Sequence, residues 1–239
     1  MAKTSAFQAD YSGPNPDWRI NIPKMKIIGI DLAGIPEKQT GFSIVNGFNT
    51  KTKVLYSDDE IIKEVENSGS NLITIDSPLG YPKGRCCLDY NCKCRKYGCM
   101  RIGEKQMVKI GVRIFPCGFG GMQKLTNRGI KLKKIFEKKG YEVIETYPGS
   151  AQDLLDIPRK KKGIEKLRKG LMKVGFKGDI TKKNITDHEL DAITSAFVGQ
   201  LYKKNNYVAF GIPEEAQIIT AKPKNKERLR RMREIGLLK

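Results

Sequence analysis

Residues 26–34 read Lys-Ile-Ile-Gly-Ile-Asp-Leu-Ala-Gly. Three isoleucines around one glycine, closed by an aspartate, have the pattern of a short buried strand whose last residue needs a partner for its charge. Next, Gly41-Phe-Ser-Ile-Val-Asn46 alternates, and Lys53-Val-Leu-Tyr56 follows a turn predicted at residues 49–52, so the three runs form an antiparallel meander. Ser57-Asp-Asp-Glu60 is a capping-box pattern that opens a short helix through Ile61, Ile62 and Val65, ended by Gly69. Asn71-Leu-Ile-Thr-Ile-Asp76 is then a second apolar run ending in an acid. A helix between two such strands is a parallel crossover, and the sheet is therefore mixed.

From Ser77 to about Gly121 the periodicity fails and Gly, Pro and Cys accumulate, which marks an insertion at about residues 82–121. Regularity returns with a helix predicted from about Thr126 to Lys139 and a strand Tyr141-Glu-Val-Ile-Glu145. Residues 159–173 fit an amphipathic helix with a cationic face. Thr186-Asp-His-Glu189 repeats the capping box and opens the strongest helix, with Leu190, Ile193, Phe197 and Leu201 at helical spacing. Tyr207–Phe210 and Gln217–Thr220 read as a closing hairpin. The expected organisation is an irregular arm (1–25), one α/β domain (26–221) with a mixed sheet of about five strands flanked by helices, and a basic tail (222–239).

Of 239 residues, 39% are hydrophobic and 30% charged, enough for one sizeable core. Lys and Arg number 45 against 26 Asp and Glu, a net charge of +19 that favours polyanions and disfavours acidic protein partners. Nucleic acid, DNA or RNA, is the expected partner. No apolar run approaches the roughly 18 residues that span a bilayer, and the first sixteen residues lack the apolar core of a secretory signal, so no membrane role and a cytoplasmic location are expected. Residues 158–183 hold eleven Lys or Arg against Glu165 and Asp179, and residues 222–239 hold eight against Glu227 and Glu234. Arg159, Lys160, Lys161, Lys162, Arg228, Arg230 and Arg231 are candidate phosphate contacts, although a solvated cationic surface gives the same composition.

In a chain so poor in acids, carboxylates that interrupt apolar elements are informative. Asp31, Asp76 and Glu145 end predicted strands, and His188 and Asp191, spaced i, i+3, share one face of the capped helix. The carboxyl ends of strands border the ligand crevice in open α/β sheets, so these groups can converge on an oxygen-rich site with one nitrogen, suited to Mg²⁺ or Mn²⁺. Each alone could instead cap a turn or pair with a lysine.

Gly29-Ile-Asp-Leu-Ala-Gly34, Thr40-Gly-Phe-Ser43, Ile75-Asp-Ser-Pro-Leu-Gly80, Arg85-Cys86, Glu145-Thr-Tyr-Pro-Gly149 and His188-Glu-Leu-Asp-Ala192 together resemble the family called domain of unknown function 429, predicted nucleases of the ribonuclease H-like superfamily. More distantly, the Gly-Ile-Asp run and the late His-x-x-Asp-Ala helix are similar to RuvC-type Holliday junction resolvases. The resemblance implies a ribonuclease H-like sheet and a metal-dependent nuclease. It also implies that Asp31, Asp76, His188 and Asp191 hold metal with Glu145 as an additional catalytic acid, and it allows a dimer.

Cys86, Cys87, Cys92, Cys94 and Cys99 fall within fourteen residues of the insertion, and Cys117 lies apart from them. Such density suits a Zn²⁺ site, with free thiols or disulfides as the other readings. Arg85, Lys93, Arg95, Lys96 and Arg101 interleave there with Tyr90 and Tyr97, a mixture able to contact phosphates and stack bases. Two other functions fit the same features: a non-catalytic nucleic-acid-binding protein, and an ATP-dependent phosphotransferase of the actin-like type. The latter needs duplicated domains that 239 residues cannot supply.

Overall fold

A computed structural model describes residues 25–238. The expected N-terminal arm lies outside the described residues except for Met25. The elements in chain order are β1 (Lys26–Asp31), β2 (Thr40–Asn46), β3 (Asn49–Leu55), α1 (Asp58–Glu66), β4 (Leu72–Asp76), α2 (Ile102–Lys109), α3 (Gly120–Lys138), β5 (Glu142–Thr146), α4 (Pro148–Leu154), α5 (Ile164–Val174), β6 (Lys177–Gly178), α6 (Asp187–Lys203), β7 (Tyr207–Phe210), β8 (Ile218–Ala221) and α7 (Lys226–Glu234).

The strands form one mixed sheet in the order β6-β3-β2-β1-β4-β5-β8-β7. The meander β1–β2–β3 and the hairpin β7–β8 are antiparallel, while β1–β4, β4–β5, β5–β8 and β3–β6 are parallel. The mixed α/β architecture is as the patterning predicts. The eight strands among the described residues exceed the expected five or so because the closing hairpin docks on β5 and the two-residue β6 extends the other edge.

Alternate residues of the central strands feed opposite faces. Ile27, Val45 and Leu72 pack on α5 and α6 through Leu167, Leu171, Ile193 and Phe197. Ile28, Ile30, Phe42, Ile73 and Ile75 pack on α1 and α3 through Ile61, Val65, Leu132 and Phe136. At the β7–β8 end, Met107 of α2, Val208, Phe210 and Met232 of α7 form a third buried cluster.

Two glycines decide how closely α6 approaches the sheet. A Cβ at Gly29 would stand 1.9 Å from the Ala192 carbonyl oxygen, and one at Gly41 would stand 2.0 Å from that of His188. Only a backbone without side chains lets the first turns of α6 lie on β1 and β2.

Both capping boxes are present: Ser57 accepts from the Glu60 amide and Thr186 from the Glu189 amide. Several boundaries move. The turn predicted at 49–52 lies instead at Gly47-Phe48, because Thr50 and Thr52 are buried on alternate positions of β3. Helix α3 begins at Gly120, six residues early, where Gly-Gly reads as loop. Gly163, at φ 115°, separates the 3₁₀ turn of Lys160–Lys162 from α5, so residues 159–173 are not one helix. The insertion contains α2, which irregular composition conceals. The tail is no free arm: α7 buries Met232 completely. Among the described residues, no helix is long and apolar enough to cross a membrane.

Candidate active site and thiol cluster

Parallel register sets Asp31 beside Asp76, and Asp76 beside Thr146, at the carboxyl ends of three adjacent strands. The glycine-cleared approach of α6 brings His188 and Asp191 over the same ends. His188 Nδ1 lies 2.7 Å from Asp31 Oδ2, and this hydrogen bond, against the opposing effect of burial, holds the imidazole pKa above its ordinary value. Asp191 is buried; its Oδ1 accepts from Gln152 Nε2 at 2.7 Å, and its Oδ2 meets Lys160 Nζ at 3.0 Å. The same ammonium lies 3.0 Å from Asp187.

Burial first, and then the crowding of carboxylates, sets the electrostatics. Burial, then Asp31 and Asp191, push the Asp76 carboxyl well above the usual range, and burial with Asp31 raises Asp191 against the opposing pull of Lys160 and Gln152. Lys160 is the local counter-charge; burial lowers its pKa, but Asp191, Asp187 and Asp31 more than reverse this. The four predicted groups Asp31, Asp76, His188 and Asp191 therefore meet. Among the described residues, however, the only set of three or more His, Cys, Asp or Glu ligand atoms all within 4.8 Å of one another is a group of thiols, described below.

Glu145 departs from expectation. Strand β5 ends one residue later, so Thr146 and not Glu145 sits beside Asp76, and a one-residue shift turns a side chain to the other face. Both Glu145 oxygens are committed to Arg101, at 2.6 and 2.7 Å, and one also accepts from the Leu79 amide. Arg101, expected to contact phosphate, is 1% exposed and also binds Glu104 at 3.0 Å. This buried charge cluster ties the insertion to the sheet and holds both Glu145 oxygens by hydrogen bonds, while Glu145 also lines the cavity onto which the other acids open.

The carboxylates open onto a cavity of about 880 Å³. Leu32, Pro78, Val108, Ile114, Phe115 and Leu125 form its apolar wall, and Arg113, Arg159, Lys160 and Lys161 supply positive charge. Gln152 stands in no recognisable motif, and Asp187, inside the Thr186–Glu189 capping box, reads there only as a first-turn acid. Lys160 was legible only as one of three consecutive lysines.

Compared with family models, characterised proteins and solved structures, the chain matches none. What it can do rests on its own residues.

Cys86, Cys87, Cys92 and Cys94 place their sulfurs within 4.8 Å of one another, a group that could hold a metal ion. Cys86 and Cys92 stand 3.6 Å apart, Cys87 and Cys94 3.9 Å. The Cys94 thiol is lowered to about 6: burial opposes ionisation, but hydrogen bonds at Cys87, Cys92 and Cys86 outweigh it. Cys99 stands outside this group; its carbonyl accepts from the Gly118 amide and the Cys117 thiol. Arg85 is also absorbed locally, donating to the carbonyls of Cys87, Gly98 and Asp89, so it organises the loop in place of contacting phosphate.

Other expected phosphate contacts divide in two. Arg95 and Lys96 stand over the exposed rings of Tyr90 and Tyr97, each 5.2 Å from the ring centre, and Lys161 and Lys162 are exposed. Arg159 is held by Asp153 at 2.5 Å, Arg228 donates to the Asp153 carbonyl, and Arg230 and Arg231 pair with Glu227 at 2.7 and 3.0 Å. The tail spends much of its charge on its own helix.

Proposed function

We propose that the chain is a divalent-metal-dependent nuclease that hydrolyses phosphodiesters in DNA or RNA, as its resemblance to domain of unknown function 429 and the ribonuclease H-like superfamily implies. One observation carries the reading: in a chain of net charge +19, three carboxylates crowd together at strand ends and a helix start, facing a cavity edged by cations. Such crowding is costly unless a cation is bound, so it is a functional feature and not a stabilising one.

The donor set fits a hard divalent ion in its chemistry, with Asp31, Asp76 and Asp191 supplying oxygens and His188 one nitrogen. Lys160 supplies the compensating charge in their midst and has to yield that role to Mg²⁺ or Mn²⁺. When bound, the metal would supply a water of lowered pKa and charge stabilisation for the leaving oxygen. The protein's own groups do the rest. His188 holds a proton against Asp31 and orients that carboxylate, Gln152 fixes Asp191, and Lys160, once released, can pair with a substrate phosphate. Arg113 and Lys161 draw the polyanion to the cavity mouth.

The test is incubation of labelled single-stranded, duplex and branched DNA and RNA with Mg²⁺, Mn²⁺ or EDTA. Cleavage is expected only with metal and is lost in Asp31→Asn and Asp191→Asn, both still folded; full activity in either variant overturns the proposal. The four thiols are assigned in the same reading to one structural Zn²⁺, which would order an insertion otherwise poor in regular structure.

A further inference from the structure

Resting on the nuclease reading, we infer that the apolar wall of the cavity takes one unpaired nucleobase, so that the substrate is single-stranded nucleic acid. Phe115 is 66% exposed and Val108 51%, and both line the cavity that Asp31, Asp76 and Asp191 also line. Phe115 is preorganised: its ring stacks on Phe119 at 6.1 Å and 21°, and Phe119 itself is 56% exposed. Large apolar side chains left in water around one concavity mark a binding surface, and this one carries an exposed aromatic face.

Charge selects the occupant. Arg113 and Lys161, both exposed and without an ion pair among the described residues, line the same cavity, as does Lys160. A ligand must therefore bring an apolar plane to Phe115 and anionic groups to the cations, within reach of the acid site. A nucleotide does both. A duplex keeps its base faces stacked inside and offers Phe115 only backbone, whereas an unpaired strand can lay one base on the ring while its phosphates meet the rim.

The experiment measures binding in EDTA at fixed salt, so that no cleavage is involved. The ligands are a labelled twelve-nucleotide oligodeoxythymidylate, an abasic strand of the same length, and the duplex with oligodeoxyadenylate, each with wild type and Phe115→Ala. The expected result is a preference for the intact strand over both others of roughly tenfold, the contribution of one stacked base. Phe115→Ala, exposed and folded by its melting curve, should reduce that preference below about threefold while leaving abasic-strand affinity unchanged. Equal binding of intact and abasic strands, duplex binding as tight as single-strand binding, or a preference that survives Phe115→Ala overturns the inference. Base-dependent binding without metal-dependent cleavage would sink the nuclease reading alone, and cleavage without base dependence would sink this inference alone.

Discussion

His188 Nδ1 and the Asp31 carboxylate stand 2.7 Å apart although 157 residues separate them in the chain. The contact closes the gap between the first strand and the start of α6, and it holds the imidazole proton.

His188 is the only histidine, so its titration can be followed as a single imidazole signal by NMR. In EDTA the midpoint should lie above the ordinary value of 6.5 and return towards it in Asp31→Asn. Because the folded pKa is raised, the stability from this pair is fully present below the unfolded value and is lost as pH rises through the folded one. A midpoint at or below 6.5 in the wild type would remove the pair from the mechanism.

Asp76 behaves in the opposite sense to most carboxylates. Its raised pKa means that the fold retains a proton which the unfolded chain releases near pH 3.8, so stability falls as pH climbs above that value. Asp76→Asn should therefore raise Tm at neutral pH in EDTA, by roughly 2–4 °C for each kcal/mol of repulsion relieved. Mg²⁺ or Mn²⁺ should raise the wild-type Tm and leave the variant nearly unmoved. Calorimetry with and without metal decides it, and a variant less stable than wild type in EDTA contradicts the crowding argument.

Lys160 competes with the proposed metal for the same carboxylates. Lys160→Met should lower stability in EDTA and enlarge the Tm increase that divalent cations produce. An unchanged or smaller increase would mean that Lys160 is not the resident counter-charge.

Arg101 lies between two buried carboxylates, and Arg101→Met would strand Glu104 and Glu145 without a counter-charge. The expected loss is about 3–5 kcal/mol in urea unfolding, the usual cost of breaking a buried pair from one side. A loss under about 1 kcal/mol would show that the cluster is solvated.

One equivalent of Zn²⁺ is expected by atomic emission from protein purified under reducing conditions. It should be lost in the Cys92→Ser, Cys94→Ser double variant and retained in Cys99→Ser. Folded, metal-free protein with four free thiols, or with two disulfides, would refute the zinc assignment.

The sheet centre was legible because its strands are apolar runs closed by acids, and the helices flanking it because two capping boxes announce α1 and α6. Asp31, Asp76, His188 and Asp191 were found together since each ends or starts an element whose pattern is unambiguous. Glu145 was misread through a boundary error of one residue, enough to turn it to another face and another partner. Arg101 reads as surface because it stands among exposed arginines and lysines of the insertion, while its partner Glu145 lies 44 residues away and only Glu104, three residues on, is local. The order within residues 82–121 was illegible for a related reason: thiols, tight turns and one buried cation fix that segment, and none of them has a period.

The bare backbone of Gly29 and Gly41 has a consequence for synthesis. By residue 146 the nascent chain has produced β1 to β5, yet the groove these glycines clear stays vacant until residues 187–203 emerge to fill it. Asp31 and Asp76 thus wait for His188 and Asp191 while more than a hundred further residues are made, and a product cut short before α6 carries the cationic segment around Lys160 but no complete acid site. Whatever chemistry those acids perform begins only after α6 has been made.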